Sequence, residues 1–194
     1  MSQPEHNLNH KYTYKDCLKW PEQERWELID GIPFNMTPAP STEHQRLVLE
    51  LALILKSGLM PAACSVFVSP FDVRLPLEAE EDAATSNVVQ PDVVVICDPS
   101  KIDKKGCKGA PDLVIEITSP STFRKDLTDK YSLYEKSGVK EYWIVYPDNK
   151  AITVYRLTDG KFGLPQVYTS EDTIIMGLFA HLSIELSRVF PTQS

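Results

Sequence analysis

Two apolar runs in the middle of the chain each carry an acid where a buried strand is expected. They are Gln90-Pro91-Asp92-Val93-Val94-Val95-Ile96 and Pro111-Asp112-Leu113-Val114-Ile115-Glu116-Ile117-Thr118. Unbroken β-branched and aliphatic residues mark both as core strands. Period-two alternation puts Asp112, Val114, Glu116 and Thr118 on one face of the second strand, with Leu113, Ile115 and Ile117 on the other. Glu116 therefore projects from mid-strand. Asp92 and Asp112 each follow a proline and open their strands, and Asp112 suits a structural cap there.

The rest of the chain alternates between helix and strand patterns. Thr13 caps a short helix ending before Pro21. Trp26 to Met36 reads as a hairpin turning at Asp30-Gly31, closed by Pro38-Ala39-Pro40. Ser41 or Thr42 caps a long, nearly all-apolar helix running to about Gly58, which should pack on a sheet. Val66 to Leu75 reads as one strand containing Asp72, and Pro76 to Asn87 as an acidic loop with no strand signal. Ser121 or Thr122 opens a helix stopped by Gly138. On it Leu127, Lys130, Tyr131 and Tyr134 share a stripe, which points Lys130 toward the sheet. Strands follow at Glu141–Tyr146 and Ala151–Leu157, then shorter ones at Thr173–Met176 and His181–Leu186. The order predicts an α/β fold, a central mixed sheet flanked by helices. Residues 1–11 are expected to form a disordered tail and residues 12–194 one domain.

Composition narrows the function classes. Apolar residues make up 42% and charged residues 24% of 194, ordinary for a globular protein. No apolar run approaches the roughly 18–20 residues of a membrane span. The polar Met1–His10 segment lacks the apolar core of a secretory leader, so a cytoplasmic protein without membrane partners is expected. Cys17, Cys64, Cys97 and Cys107 show no CxxC pair, and reduced thiols are the expectation. His6, His10, His44 and His181 show no metal spacing. No phosphate-binding glycine loop appears, which argues against a nucleotide cofactor. Tyr142, Trp143, Tyr146 and Tyr155 suit the core and its edges. The net charge of -7 does not suggest a nucleic-acid partner, but residues 101–140 hold nine basic and six acidic residues around the second acid strand.

A carboxylate buried in a strand costs several kcal/mol unless it is paired or binds a metal. Two such acids beside an inward lysine suit metal-assisted phosphodiester cleavage. Magnesium takes oxygen ligands and keeps several waters, so Asp92, Glu116 and the Ile117 carbonyl make a sufficient set.

The ordered set of Trp26-Glu27-Leu28-Ile29-Asp30-Gly31, Glu43-His44-Gln45, Asp72-Val73-Arg74-Leu75, Gln90-Pro91-Asp92-Val93, Pro111 to Thr122, Asp126 to Lys130 and Gly138 to Val145 resembles the PD-(D/E)XK nuclease superfamily. More narrowly it resembles the restriction-endonuclease-like Uma-two type family. The resemblance implies a restriction-endonuclease-like fold and Mg²⁺- or Mn²⁺-dependent cleavage of DNA by a homodimer. Asp92 and Glu116 take the places of the metal-binding acids, and Thr118 stands where the usual lysine would be. In a variant pattern the lysine moves to the following helix, where Lys130 fits, with Lys125 as the other candidate. The first-helix acid is Glu43 or Glu50, and Glu27 is a further candidate. His44, Asp72 and Asp112 are supporting positions, Asp72 as a further ligand or a strand-end ion pair. The alternative reading is a catalytically inactive binding or regulatory module that kept the fold.

Overall fold

The computed structural model describes residues 10–21, 23–36, 39–59, 64–77 and 81–191. Nearly all of the expected N-terminal tail, Pro38 of the segment closing the hairpin, and Glu78 and Glu80 of the acidic loop lie outside these residues.

The main sheet runs in the order β12 (Lys161–Phe162), β11 (Ala151–Thr158), β10 (Glu141–Tyr146), β9 (Leu113–Ile117), β6 (Val93–Ile96) and β3 (Ser65–Val68), and β13 (Gln166–Thr169) also pairs with β11. Strands β9 and β10 are parallel; the other described pairs in this sheet are antiparallel. A parallel neighbour needs a crossover. Here it is helical: α3 (Phe123–Lys125), one π-helical turn (Asp126–Lys130) and α4 (Tyr131–Ser137). Gly138 ends α4 with φ 84°, the left-handed C-cap that glycine adopts without strain.

A second sheet has the order β2 (Ile32–Asn35), β1 (Trp26–Ile29), β5 (Val88–Val89), β4 (Val73–Arg74), β8 (Gly106–Lys108) and β7 (Ile102–Asp103). Its β1–β2 hairpin turns at Asp30 and Gly31, with φ 49° and 73°, the left-handed pair a two-residue hairpin turn requires. Strands β14 (Thr173–Ile175) and β15 (Ser183–Glu185) form a separate ribbon. The first helix, α1 (Tyr14–Cys17), has Thr13 as its N-cap, and α5 (Leu186–Val189) follows β15.

The alternation expected along β9 divides the core. Leu113, Ile115 and Ile117 pack with Val93, Val95, Trp143 and the buried stripe Leu47, Val48, Leu51, Ile54 and Leu55 of α2 (Thr42–Gly58). Val114 faces the opposite layer with Val94, Leu133, Tyr134, Tyr142 and Ile144. Leu47, Leu51 and Leu55 are fully buried, so truncating any of them to alanine costs about 2–5 kcal/mol. No helix among the described residues is long and apolar enough to cross a membrane.

Two expectations are corrected. The stretch Val66–Leu75 is not one strand: β3 ends at Val68, a cis Ser69–Pro70 bond follows, and β4 belongs to the second sheet. Proline cannot donate to a sheet ladder, and here it sits where the chain leaves one sheet for the other. The cysteines are not all reduced. Cys64 and Cys97 form a disulfide, while Cys17 and Cys107 are free. Ser65 pairs with Ile96, so the same antiparallel register sets Cys64 against Cys97.

Candidate metal and catalytic site

The site is built on β6 and β9. Their register pairs Val93 with Ile115 and Val94 with Val114. One more step sets Asp92, just before β6, opposite Glu116. The Asp92 carboxylate then folds over the end of the ladder: its Oδ2 accepts the Ile117 N–H at 2.8 Å. Two carboxylates opposed across a sheet destabilise it when both are ionised, so this pairing calls for a counter-charge or a retained proton.

Lys130 supplies part of it. Its Nζ lies 2.8 Å from Glu116 Oε1 and 2.8 Å from Glu27 Oε1, and the side chain is only 3% exposed. Tyr134 Oη donates to the same Glu116 oxygen at 2.7 Å. Lys125 Nζ holds the other oxygen of Glu27 at 2.7 Å, and the Gln90 N–H donates to Oε1 at 3.1 Å. Asp126, one helical step before Lys130, is buried with an oxygen 3.8 Å from Lys130 Nζ. The π-helical turn carrying both residues is a local departure often found at functional positions.

The electrostatics separate the two glutamates. Burial pushes Glu27 upward, but the ammonium groups of Lys130 and Lys125 outweigh it and hold the pKa at about 2. Burial dominates at Glu116 and raises it to about 8; Lys130 pulls it down, while Asp126, Asp92 and Glu27 push it further up. Glu116 is thus a carboxyl that keeps its proton at neutral pH until another cation arrives. Burial disfavours the charged His44 ring, yet its hydrogen bond and proximity to Asp92 raise its pKa, helped by the Ile117 backbone. His44 Nε2 is 3.1 Å from Asp92 Oδ2. The ring is placed there by Ser41, whose Oγ accepts the His44 N–H at 3.1 Å and caps α2.

The carboxyls of Glu27, Asp92, Glu116 and Asp126 outnumber the ammonium groups of Lys125 and Lys130 by two, with the His44 ring beside Asp92. Among the described residues no three His, Cys, Asp or Glu side chains converge as a metal cluster. The donors that fit a cation are fewer and all oxygen. The described hydrogen bonds of Asp92 fall on Oδ2 and those of Glu116 on Oε1, which leaves Asp92 Oδ1 and Glu116 Oε2 for a ligand. Two carboxylate oxygens beside a backbone carbonyl suit Mg²⁺ or Mn²⁺, which complete their shells with water.

The other candidate residues divide. Glu27 lies inside the cluster, on a strand rather than on the first helix. Glu43 pairs with Arg46 on the outer side of α2 and does not reach the cluster. Asp72 Oδ1 accepts from Gln90 Nε2 at 2.8 Å, one residue removed from the acids. Asp112 ties strands together, accepting the Cys97 N–H at 2.7 Å and Lys140 Nζ at 2.6 Å. Thr118 is buried and its hydroxyl donates to the Val145 carbonyl at 3.0 Å, so it takes no part in the cluster. Asp126 and Tyr134 belong to the cluster without having been singled out as site residues. Their spacing of four residues on either side of Lys130 was the available signal.

The profile of the Uma2 family, described as "Putative restriction endonuclease", matches residues 14–187. The uncharacterized protein slr1290 of Synechocystis sp. is 27% identical over 169 residues, 84% of each chain. The crystal structure of a "putative nuclease belonging to DUF820" from Anabaena variabilis superposes with a TM-score of 0.72 at 23% identity, over 92% of this chain and 97% of that one. At that identity the superposition shows the fold, a mixed α/β architecture common to both. The profile spans most of the chain and every strand that builds the site, and the chain belongs to the Uma2 family.

Proposed function

We propose that this protein is an endonuclease that hydrolyses DNA phosphodiester bonds, with Mg²⁺ or Mn²⁺ held by Asp92 and Glu116. The observation that carries the reading is the opposition of these acids across β6 and β9 in a buried cluster with more carboxyls than ammonium groups. A fold does not need such an arrangement, and a divalent cation relieves it.

When bound, the cation would lower the pKa of a water and clamp phosphate oxygens. The protein's own groups do the positioning. Lys130 gives N–H bonds to Glu27 and Glu116, fixing Glu116 Oε1, and its third N–H, with an Asp126 oxygen 3.8 Å away, would turn to the attacking water or a phosphate oxygen. Tyr134 adds a second restraint on Oε1. His44 and the Ile117 N–H hold Asp92 Oδ2 from two directions, which fixes where Oδ1 points. Lys125 and Gln90 secure Glu27, so Lys130 is anchored through Glu27 as well as through Glu116. A homodimer would present two such sites, one for each strand of a duplex.

Incubation of supercoiled plasmid with Mg²⁺ or Mn²⁺ tests the reading. The wild type should nick or linearise it; Asp92→Ala, Glu116→Ala and chelation should each stop this. Wild-type cleavage no greater than that of either variant would leave the inactive binding module as the better description.

A further inference from the structure

Beside the acid cluster lies a groove of about 320 Å³ lined by Pro70, Phe71, Asp72, Gln90, Lys104 and Lys105, among others. It is joined directly to the proposed catalytic residues. The Gln90 N–H donates to Glu27 at 3.1 Å, and the N–H of Ser69, next to Pro70, donates to the Asp92 carbonyl at 3.2 Å. Its outer wall is the β7–β8 hairpin, with Lys104 and Lys105 exposed at the turn.

That hairpin is braced from the protein interior. Arg74, fully buried, donates to Asp103 at 2.6 Å and to Asp82 at 2.6 Å. Asp103 also accepts the Lys105 N–H at 2.7 Å, which closes the turn. Gly106 sits against the Asp72 carbonyl so closely that a Cβ there would lie 2.1 Å from that oxygen, and the Cys107 N–H donates to the same carbonyl at 2.8 Å. The acids of the lining are engaged within the protein: Asp103 by Arg74, and Asp72 by the Gln90 amide, whose oxygen accepts from Arg25 at 2.8 Å and 3.0 Å. Among the described residues, no ion pair engages Lys104 or Lys105. Lys105 Nζ lies 5.8 Å from the centre of the Tyr14 ring, which steadies the ammonium without neutralising it. Exposed ammonium groups on a braced hairpin beside the proposed phosphodiester-cleaving site suit phosphate binding, which positions a nucleic acid without reading its sequence.

Building on the proposed nuclease activity, we infer that the groove between the β7–β8 hairpin and the Ser69–Asp72 loop takes the DNA backbone next to the scissile bond, with Lys104 and Lys105 on its phosphates. It answers a difficulty of the chain's net charge of -7, since DNA affinity rests on local cations rather than on the overall balance.

The test is duplex binding by the Asp92→Asn protein, which on this reading should hold DNA without cutting it, measured across a salt series. Adding Lys104→Gln with Lys105→Gln should weaken binding of every sequence alike. It should also lower the slope of log affinity against log salt by about 2, one unit for each phosphate that is no longer neutralised. Lys56→Gln with Lys136→Gln makes the same charge change on α2 and α4 and should leave the slope unaltered. An unchanged slope in the hairpin variant, or an equal fall in the control, overturns the groove. If the wild type still cleaves plasmid, the nuclease reading survives that outcome. A wild type that neither binds nor cleaves DNA overturns both.

Discussion

Asp92 lies one step beyond the Val93–Ile115 pair of β6 and β9, in register with Glu116, and its Oδ2 accepts the Ile117 N–H at 2.8 Å. Lys130 and Tyr134 both hold Glu116 by Oε1, and His44 and Ile117 both hold Asp92 by Oδ2. Each acid is therefore fixed through one oxygen and presents the other.

Asp92 raises the cost of ionising Glu116, so removing its charge should separate activity from stability. Asp92→Asn keeps an oxygen for the Ile117 N–H while deleting the charge opposite Glu116. Above about pH 8, where Glu116 ionises, its melting temperature in chelator is expected to equal or exceed that of the wild type. Its plasmid cleavage should fall by more than about a hundredfold, since even residues that only support a metal ligand cost about 10–100-fold.

Lys130 and Lys125 are expected to differ in consequence. Lys130→Met leaves Glu27 and Glu116 without their shared counter-charge at a site that is 3% exposed, and should cost about 3–5 kcal/mol in urea unfolding. Lys125→Met should cost less, because Lys125 is partly exposed and Glu27 keeps Lys130.

The two glutamates should give stability opposite dependences on pH. Glu116 holds its proton in the fold up to about pH 8, while the unfolded chain releases it near the ordinary value of 4.5. Between those values the folded state binds more protons, so stability in chelator should fall as pH rises. Glu27, held at about 2, contributes stability that is complete above about 4.5 and is lost as pH falls toward 2. Melting temperatures across this range should show a decline above pH 4.5 that Glu116→Gln removes. Mg²⁺ should flatten the same decline and release protons on binding at pH 7.

The Cys64–Cys97 disulfide closes a sequence separation of 33 residues. Chain entropy alone assigns such a link about 3–4 kcal/mol. Dithiothreitol, or serine at both positions, should lower the melting temperature correspondingly while leaving the Asp92–Glu116 register in place.

Much of this arrangement was legible in the sequence because local patterns encode it. Alternation along β9 placed Glu116 on the face opposite Leu113, Ile115 and Ile117, and helical spacing turned Lys130 inward. Asp30-Gly31 and Gly138 marked their turns through positive φ. What was missed depends on pairing between distant segments. Nothing in the spacing of Cys64 and Cys97 reveals that they are register partners. The continuous apolar run from Val66 to Leu75 conceals its division between two sheets at Pro70. The second sheet is assembled largely from two- and three-residue strands too short to leave a periodic signal. Glu27 was one of several candidate acids, and only the β1–β5 pairing brings it under Lys130.

The central claim is most directly tested by an anomalous difference map from crystals soaked in Mn²⁺. The account predicts a peak shared by Asp92 Oδ1 and Glu116 Oε2, lost in the Glu116→Gln protein. Mn²⁺ bound elsewhere, or no peak between these two carboxyls at saturating metal, would contradict it.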